Sequence, residues 1–463
     1  MLPRKSNLTR LNYLYLDNNN FTKISSSLSI SSELERLNIS TNHLSEKLPG
    51  WMGSMSYLRH IDMSGNHLEG PIPTEFCQLF NLHICDLSEN NITGTIPSCF
   101  NPEDTVRVHL SKNRLQGPLP HAFYNSSSLS ILDLSYNNFT SHILNRIGTL
   151  SSLRILLLES NRFEGEIPTN FCGLTKLSLI DLSYNFSGSI PPCLSRISVH
   201  GPTRVPSFII IPYLQFTLFL VDLKQMSKGR QNIYNDSKFI FIIKAHVEFT
   251  IKRIARSYKG INLELFSAID LSCNKLTGHI PHEFGNQGQI KSLNLSHNGL
   301  SGTIPTTFSN LNNIESLDLS FNNLSGEIPS LLTELHFLAE FNVSYNNLSG
   351  SIPRSQSIVQ FDTFDNSSYI GNPHLCGPPL SRTSTAAIEP RRIIMNCSEV
   401  DGGFMDMESF YVSFSVSYII MLLGIAAVFY INPYWRRAWI HLVEVCYYFV
   451  VDNFRKVFCQ GYN

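Results

Sequence analysis

The chain has 463 residues, with 35 lysines and arginines against 36 aspartates and glutamates, for a formal net charge of −1. At roughly 150 residues per domain this length predicts about three globular domains, and the near-neutral charge excludes a broadly basic nucleic-acid binder or an acidic disordered tail. Charged residues make up only 15%, while asparagine occurs 41 times, more often than lysine and arginine together.

Most of that asparagine belongs to a repeat. The pattern LxxLxLxxN, closed by NxLxGxIPxx, places asparagine at Asn19, Asn42, Asn66, Asn90, Asn113, Asn137, Asn161 and Asn185, then at Asn274, Asn298, Asn322 and Asn346. The spacing is 23 or 24 residues except for one jump of 89. A fixed period of this size signals a solenoid, in which no coil buries its apolar face alone. The xLxL alternation predicts a short strand with leucines inward and x positions facing solvent. The asparagine amide, both donor and acceptor, suits the backbone groups left unpaired where the chain turns off the strand. Gly then permits a tight turn, and Ile-Pro starts a second extended segment. Some repeats depart from the pattern: Asn137-Asn138-Phe139-Thr140-Ser141 lacks the Gly, and Asn185-Phe186-Ser187-Gly188 is one residue short.

The LxGxIP portion resembles the plant-type leucine-rich repeat, over residues 8–375. The implied fold class is an α/β leucine-rich-repeat solenoid of about twelve repeats, with a parallel β-sheet on its concave face. Residues 1–197 hold repeats one to eight and 263–370 hold repeats nine to twelve.

The 89-residue jump leaves an insertion, or island, at 198–262. Its run 208–221 (FIIIPYLQFTLFLV) contains Pro212 and Gln215 and falls short of the ~20 residues a membrane helix needs, so it reads as core. Val247, Phe249 and Ile251 alternate with polar residues and predict a strand, making the island β-containing and folded against the solenoid.

Beyond a C-terminal cap and acidic juxtamembrane segment at 371–409, residues 410–431 carry no charge and predict a single transmembrane helix. Arg436 and Arg437 follow it, which puts the repeats outside the cell and the tail, 432–463, in the cytoplasm. Asn-x-Ser/Thr acceptors lie only on the outer side: Asn7, Asn20, Asn38, Asn91, Asn125, Asn138, Asn185, Asn235, Asn294, Asn323, Asn342, Asn347, Asn366 and Asn396. Cys77 and Cys99 occupy the same positions of neighbouring repeats as Cys172 and Cys193, so each pair predicts a disulfide between successive coils. Cys376 and Cys397 are expected to close the cap, while Cys85 and Cys273 read as free thiols. Trp435, Trp439, Tyr447, Tyr448 and Phe449 suit a tail lying on membrane lipid. Kinase signatures are missing and the tail is short, so the chain reads as no enzyme, with no cofactor or metal.

The order of solenoid, island, LCGxPL cap, single helix and short tail resembles the kinase-less plant receptor-like proteins. Glu248-Phe249-Thr250-Ile251-Lys252-Arg253, Ser257-Tyr258-Lys259-Gly260 and Asn432-Pro433-Tyr434-Trp435-Arg436-Arg437 match motifs of that family. The resemblance implies a single-pass plasma-membrane receptor in plant defence or development. Its ligand would be an extracellular peptide, protein or oligosaccharide bound by the concave face and island. An adaptor receptor kinase would associate through the membrane region, and a leucine-rich-repeat co-receptor kinase at the post-island repeats. Nucleic acid is not among the expected partners. The family begins with a signal peptide and a cysteine-paired cap, so this sequence, opening MLPRKSNLTRL, reads as N-terminally truncated. The alternatives are an inhibitor of a cell-wall-degrading enzyme and a truncated, non-signalling paralogue.

Varied aromatic and basic side chains at solvent-facing strand positions are the expected recognition surface: Tyr13, Tyr15, Arg36, Arg59, His60, His83, Arg107, His109 and Arg154. Lys252, Arg253 and Tyr258 of the island join them. His297, Phe321 and Tyr345, at one equivalent position of consecutive repeats, are expected to form the partner surface. Asp62, Asp86, Asp133, Asp181, Asp270 and Asp318 recur at one consensus position and read as structural. His60, His83 and His109 are candidates for pH sensing between pH 5 and 7.

Overall fold

The computed structural model describes residues 9–100, 104–184, 186–196, 246–251, 254–259, 266–354, 361 and 363–380. The apolar run 208–221, Lys252, Arg253, Cys397, the segment 410–431, the tail and the acceptors Asn7, Asn185, Asn235 and Asn396 lie outside these residues, as does the side chain of Tyr258. Among the described residues no helix is long and apolar enough to cross a membrane.

Each coil opens with a three-residue strand, and twelve of these form one sheet in chain order. All pairs are parallel and in register: Tyr13 lies beside Arg36, Arg36 beside His60, and so on to Ser316 beside Glu340. The middle residue of every strand after the first, such as Leu37, Ile61 or Leu132, is buried in the core, and Leu14 of the first packs half-buried against it, as the period-2 alternation requires. Second strands after the asparagines, such as Asn91–Gly94 and Asn323–Gly326, build two further parallel sheets of five and six strands.

The helical side of the coil corrects the α/β expectation. Its segments, such as Thr74–Gln78 and Thr306–Asn310, are five-residue 3-10 turns, and no α-helix occurs among the described residues. The reason is length: within 24 residues the chain must leave one strand, form a second and return. Most of these turns begin directly after the Pro of the Ile-Pro pair, whose fixed φ sets the entry, and bury one apolar side chain, Phe76 or Phe308.

The asparagine ladder is the element that joins coil to coil. Asn137 is buried, and its Oδ1 accepts from the Leu115 amide of the preceding coil at 2.9 Å. Its Nδ2 donates to the carbonyls of Leu134, Ser135 and, one coil back, Leu110, at 3.1, 3.2 and 2.9 Å. Among the described residues the ladder resumes across the island at Asn274. Asn274 donates to Leu182 at 2.9 Å and accepts from Phe186 at 2.7 Å, while Leu179–Asp181 pairs directly with Ala268–Asp270. The insertion therefore leaves from between two coils that remain hydrogen-bonded neighbours.

A thirteenth rung, Asn372, escaped the period because it lies 26 residues beyond Asn346. It accepts from Leu348 at 3.0 Å and donates to Val343 and Tyr369 at 3.0 and 2.9 Å. The last strand carries Phe341 where most other repeats carry Leu or Ile, and Phe361, Phe364 and Tyr369 pack on it with ring centroids 5.1, 5.8 and 6.0 Å away. These rings close the C-terminal end of the core.

Cys77–Cys99 and Cys172–Cys193 form the expected disulfides. Cys376 is also disulfide-bonded. Cys85 and Cys273 are free, and burial with the nearby Asp86 and Asp62 charges pushes the Cys85 thiol up to about 12. Where repeat six lacks its Gly, Ser141 takes the same left-handed backbone, φ 81°, as Gly117 at 82° and Gly165 at 89°. A Cβ in this region is strained, so Ser141→Gly is expected to stabilise the fold by about 0.5–1 kcal/mol. A rise in the urea unfolding midpoint is the corresponding readout.

Candidate ligand-recognition face

The first and third residues of each short strand point to the sheet face, and their chemistry changes along the solenoid. On the first four strands the face is aromatic and basic. Tyr13 and Tyr15 are about half exposed, and the Arg36 guanidinium lies 5.6 Å from the Tyr13 ring centroid. Arg59 is exposed, while Arg36, His60 and His83 are half-buried. The His83 ring Nδ1 sits 2.6 Å from the Asn81 carbonyl.

His60 is held neutral. Burial, then the charges of Arg36, His83, Arg107 and Arg59, lower it to about 3. It stays uncharged from pH 5 to 7, which removes it as a pH sensor in that range.

Arg107 and His109 correct the expectation of a solvent-facing strand: both are buried, at 8% and 5% exposure. His109 Nδ1 is 3.8 Å from Asp133 Oδ2. Burial alone would lower the His109 pKa, but its bond to Asp133 and the charges of Asp86 and Asp133 outweigh this and raise it. Arg154 is half-buried. The recurrent aspartates are structural, as expected. Asp62, Asp86, Asp133, Asp181 and Asp318 each accept on Oδ1 from the hydroxyl of the serine two residues on, at 2.6–2.7 Å.

The middle of the face is apolar and covered. Ile131, Ile155, Leu157, Leu179 and Ala268 stand at x positions, yet all are buried in a second core with Phe249 and Phe266. Phe249 lies on the island strand His246–Ile251, which pairs antiparallel with Ile254–Lys259. Its ring meets that of Phe266 edge-on with centroids 5.9 Å apart. The island hairpin thus docks on the sheet face of repeats six to nine. Apolar x positions in four successive repeats were the sequence signal for this cover.

At the splice, Asp181 and Asp270 are register partners on neighbouring strands and both buried. Burial and then the charge of Asp270 push the Asp181 carboxyl well above the usual range, and burial also raises Asp270. A raised carboxyl pKa stabilises below the unfolded value, and that contribution is lost as pH rises through the folded value. Farther along, Asn294 and Asn342 donate to Asp270 and Asp318 at 2.9 and 3.2 Å, so amide beside carboxylate is the comfortable pairing. Asp181→Asn is therefore expected to stabilise by on the order of 1–2 kcal/mol at pH 7.5 and negligibly at pH 4. Melting temperatures at the two pH values check this.

His297, Phe321 and Tyr345 are brought together. Each has positive φ at the residue before a ladder asparagine, which turns its ring outward. The rings stack with centroids 4.1 and 4.4 Å apart. Gly371 occupies the next such position, and a Cβ there would meet the Tyr345 ring at 2.6 Å, so only glycine leaves room for the end of the stack.

The acceptor asparagines divide. Asn20, Asn91, Asn125, Asn323, Asn347 and Asn366 are exposed and Asn138 is half-buried. Asn342 corrects the expectation: it is 3% exposed, with its amide committed to Asp318. Asn38 and Asn294 likewise face the sheet with Oδ1 accepting from Ser40 and Ser296.

Ladder, period and parallel sheet define a leucine-rich-repeat protein, and comparison agrees. The family described as "Leucine rich repeat" matches residues 9–68 and 104–163, and a second of the same description matches 81–102, 267–287, 289–311 and 313–335. The chain is 57% identical over 224 residues to Cuscuta receptor 1 of Solanum lycopersicum, covering 46% of this chain and 19% of that protein. It is 57% identical over 199 residues to Receptor-like protein 15 of Arabidopsis thaliana, covering 43% and 20%. Over somewhat less than half of its length the chain is thus similar to plant receptor-like proteins, and its matched stretch spans about a fifth of these relatives' own length. The crystal structure of a TDR receptor shares the fold, with a TM-score of 0.59 at 24% identity over 77% of this chain and 51% of that one.

Proposed function

We propose that the chain is a kinase-less cell-surface receptor that takes an extracellular ligand on the sheet face of its first four repeats, beside the island. The observation that carries this is the division of the face. Repeats six to nine are filled by Phe249 and Phe266, whereas Tyr13, Tyr15, Arg36, Arg59, His60 and His83 keep exposed or half-exposed aromatic and basic groups. Such residues bring large contact area and fixed donors to an interface. The names of the relatives, a Cuscuta receptor and receptor-like proteins, support a receptor role. Lys252, Arg253 and Tyr258 would border the ligand from the island.

In this reading residues 410–431 anchor the chain in the plasma membrane, with the repeats outside and the tail inside. An adaptor receptor kinase associates through that segment, and a co-receptor kinase docks on the stack of His297, Phe321 and Tyr345 in a defence or developmental pathway. Cys376 pairs with Cys397 in the cap, and the exposed acceptor asparagines carry glycans. The test is co-purification of the tagged full chain from plant membranes, with and without candidate elicitor extracts. Constitutive recovery of one receptor kinase, and ligand-dependent recovery of a second that Phe321→Asp abolishes, is expected. Recovery of no kinase in any condition overturns the signalling role.

A further inference from the structure

The sheet face of the first five strands holds five basic side chains, four of them exposed or half-exposed and Arg107 buried at the far end, in a register that no other part of the face repeats. Arg36, His60 and Arg107 stand in one column, with Ile84 between the last two. Arg59 and His83 precede it on adjacent strands. With strands about 4.8 Å apart, the column from Arg36 to Arg107 spans roughly 15 Å. In the post-island repeats the same column reads Ala268, Ser292, Ser316 and Glu340. There the nearest cation, Lys291, is paired with Glu315 at 2.7 Å.

Resting on the receptor reading above, we propose that this platform recognises a peptide through one discrete oxyanion, a carboxylate, phosphate or sulfate group. Arginine forks match such groups in geometry and charge. The depressed His60 pKa agrees: burial is its largest cause, and the guanidinium groups of Arg36, Arg107 and Arg59 lower it further. Carboxylates are interspersed: Glu35 precedes Arg36, and Asp62 and Asp86 stand at the far end of their strands, each accepting from its serine on Oδ1. A polymer charged on every unit meets these acids repeatedly, whereas a single oxyanion among neutral residues does not. Exposed Tyr13 and Tyr15 beside Arg36 supply the apolar contact that a peptide side chain next to the anion would use. The chemistry therefore favours an acidic peptide over a polyuronate.

The experiment titrates the full chain in detergent micelles with synthetic Gly-Ser decapeptides, acetylated at the N-terminus and amidated at the C-terminus, that differ only at one central residue: glutamate, phosphotyrosine, sulfotyrosine or tyrosine. Oligogalacturonate serves as a fifth probe. At least one acidic peptide is expected to bind about tenfold more tightly than the tyrosine twin, a preference that shrinks as salt rises. The double variant Arg36→Gln/Arg59→Gln should lose this preference, Arg36→Lys/Arg59→Lys should keep most of it, and Lys291→Gln should leave it unchanged. Equal binding of all peptides, or a preference that survives in the Gln variant, overturns the anion assignment. Tighter binding of oligogalacturonate than of every peptide overturns the peptide assignment. Either result leaves the receptor reading intact, since kinase co-purification tests that separately.

Discussion

Replacing Asn137 with alanine is expected to cost about 3 kcal/mol and to loosen the solenoid between its fifth and seventh coils. The side chain is buried, and its loss strips an acceptor from the Leu115 amide and donors from the Leu110, Leu134 and Ser135 carbonyls. None of these groups can turn to water, because they lie where the chain bends off the strand among Leu110, Leu115 and Leu134, which are themselves buried. An unsatisfied buried group costs about 1–3 kcal/mol, and the Leu115 amide is the group left without its acceptor, while the Leu110, Leu134 and Ser135 carbonyls each lose one donor and keep another in Asn113, Asn161 and the Lys112 amide. Asn137→Asp is expected to be nearly as harmful, since it keeps the acceptor but loses the donors and buries a charge. Urea unfolding provides the measure. A midpoint unchanged from wild type in Asn137→Ala would mean that the ladder does not hold the coils together. Because each rung joins only neighbours, the effect should be local in hydrogen exchange and greatest in the adjacent strands.

The second large effect is expected at the island. Phe249→Ala removes the ring that packs with Phe266 over Ile131, Ile155, Leu157 and Leu179. Truncation of a buried phenylalanine costs about 3–5 kcal/mol. Here the loss falls on docking of the hairpin, because the repeats beneath keep their own ladder and main core. Amide protons of the strands His246–Ile251 and Ile254–Lys259 should therefore exchange faster by a factor on the order of 100, which corresponds to about 3 kcal/mol. Those of the ladder coils should change little. Phe249→Leu should produce a smaller change. Equal protection of the hairpin in wild type and Phe249→Ala would show that something other than this aromatic contact holds the island down.

The repeat was legible because every rung depends on residues close in sequence or one period away. Asn137 bonds to Leu134 and Ser135 within its own turn and to Leu110 and Leu115 one coil back, so the same letters recur wherever the same bonds do. The cysteine pairs were legible for the same reason, since similar repeat positions on adjacent coils lie close together, and the two pairs share one pattern of offsets from their ladder asparagines. Asn372 was missed because the cap makes its rung with a longer step. The α/β expectation failed on the helical side, where the letters fit a turn but a full α-helix does not fit within the period.

Accessibility of the recognition face was not legible in the same way. Tyr13, Arg36 and Arg107 occupy equivalent strand positions and look alike in the repeat pattern, yet Tyr13 is half exposed and Arg107 is buried. Alternation says which side of the sheet a residue faces, not whether anything covers that side. The period, the ladder, the order of the coils and the two disulfides between them follow from the residues alone, because those contacts are local or one repeat apart. Which part of the face remains open, which acceptor asparagines are available, and the pairing of Asp181 with Asp270 are set by the folded chain. Those outcomes depend on where the island departs between two hydrogen-bonded coils, and on Phe249 folding back onto strands about 100 residues earlier in the chain.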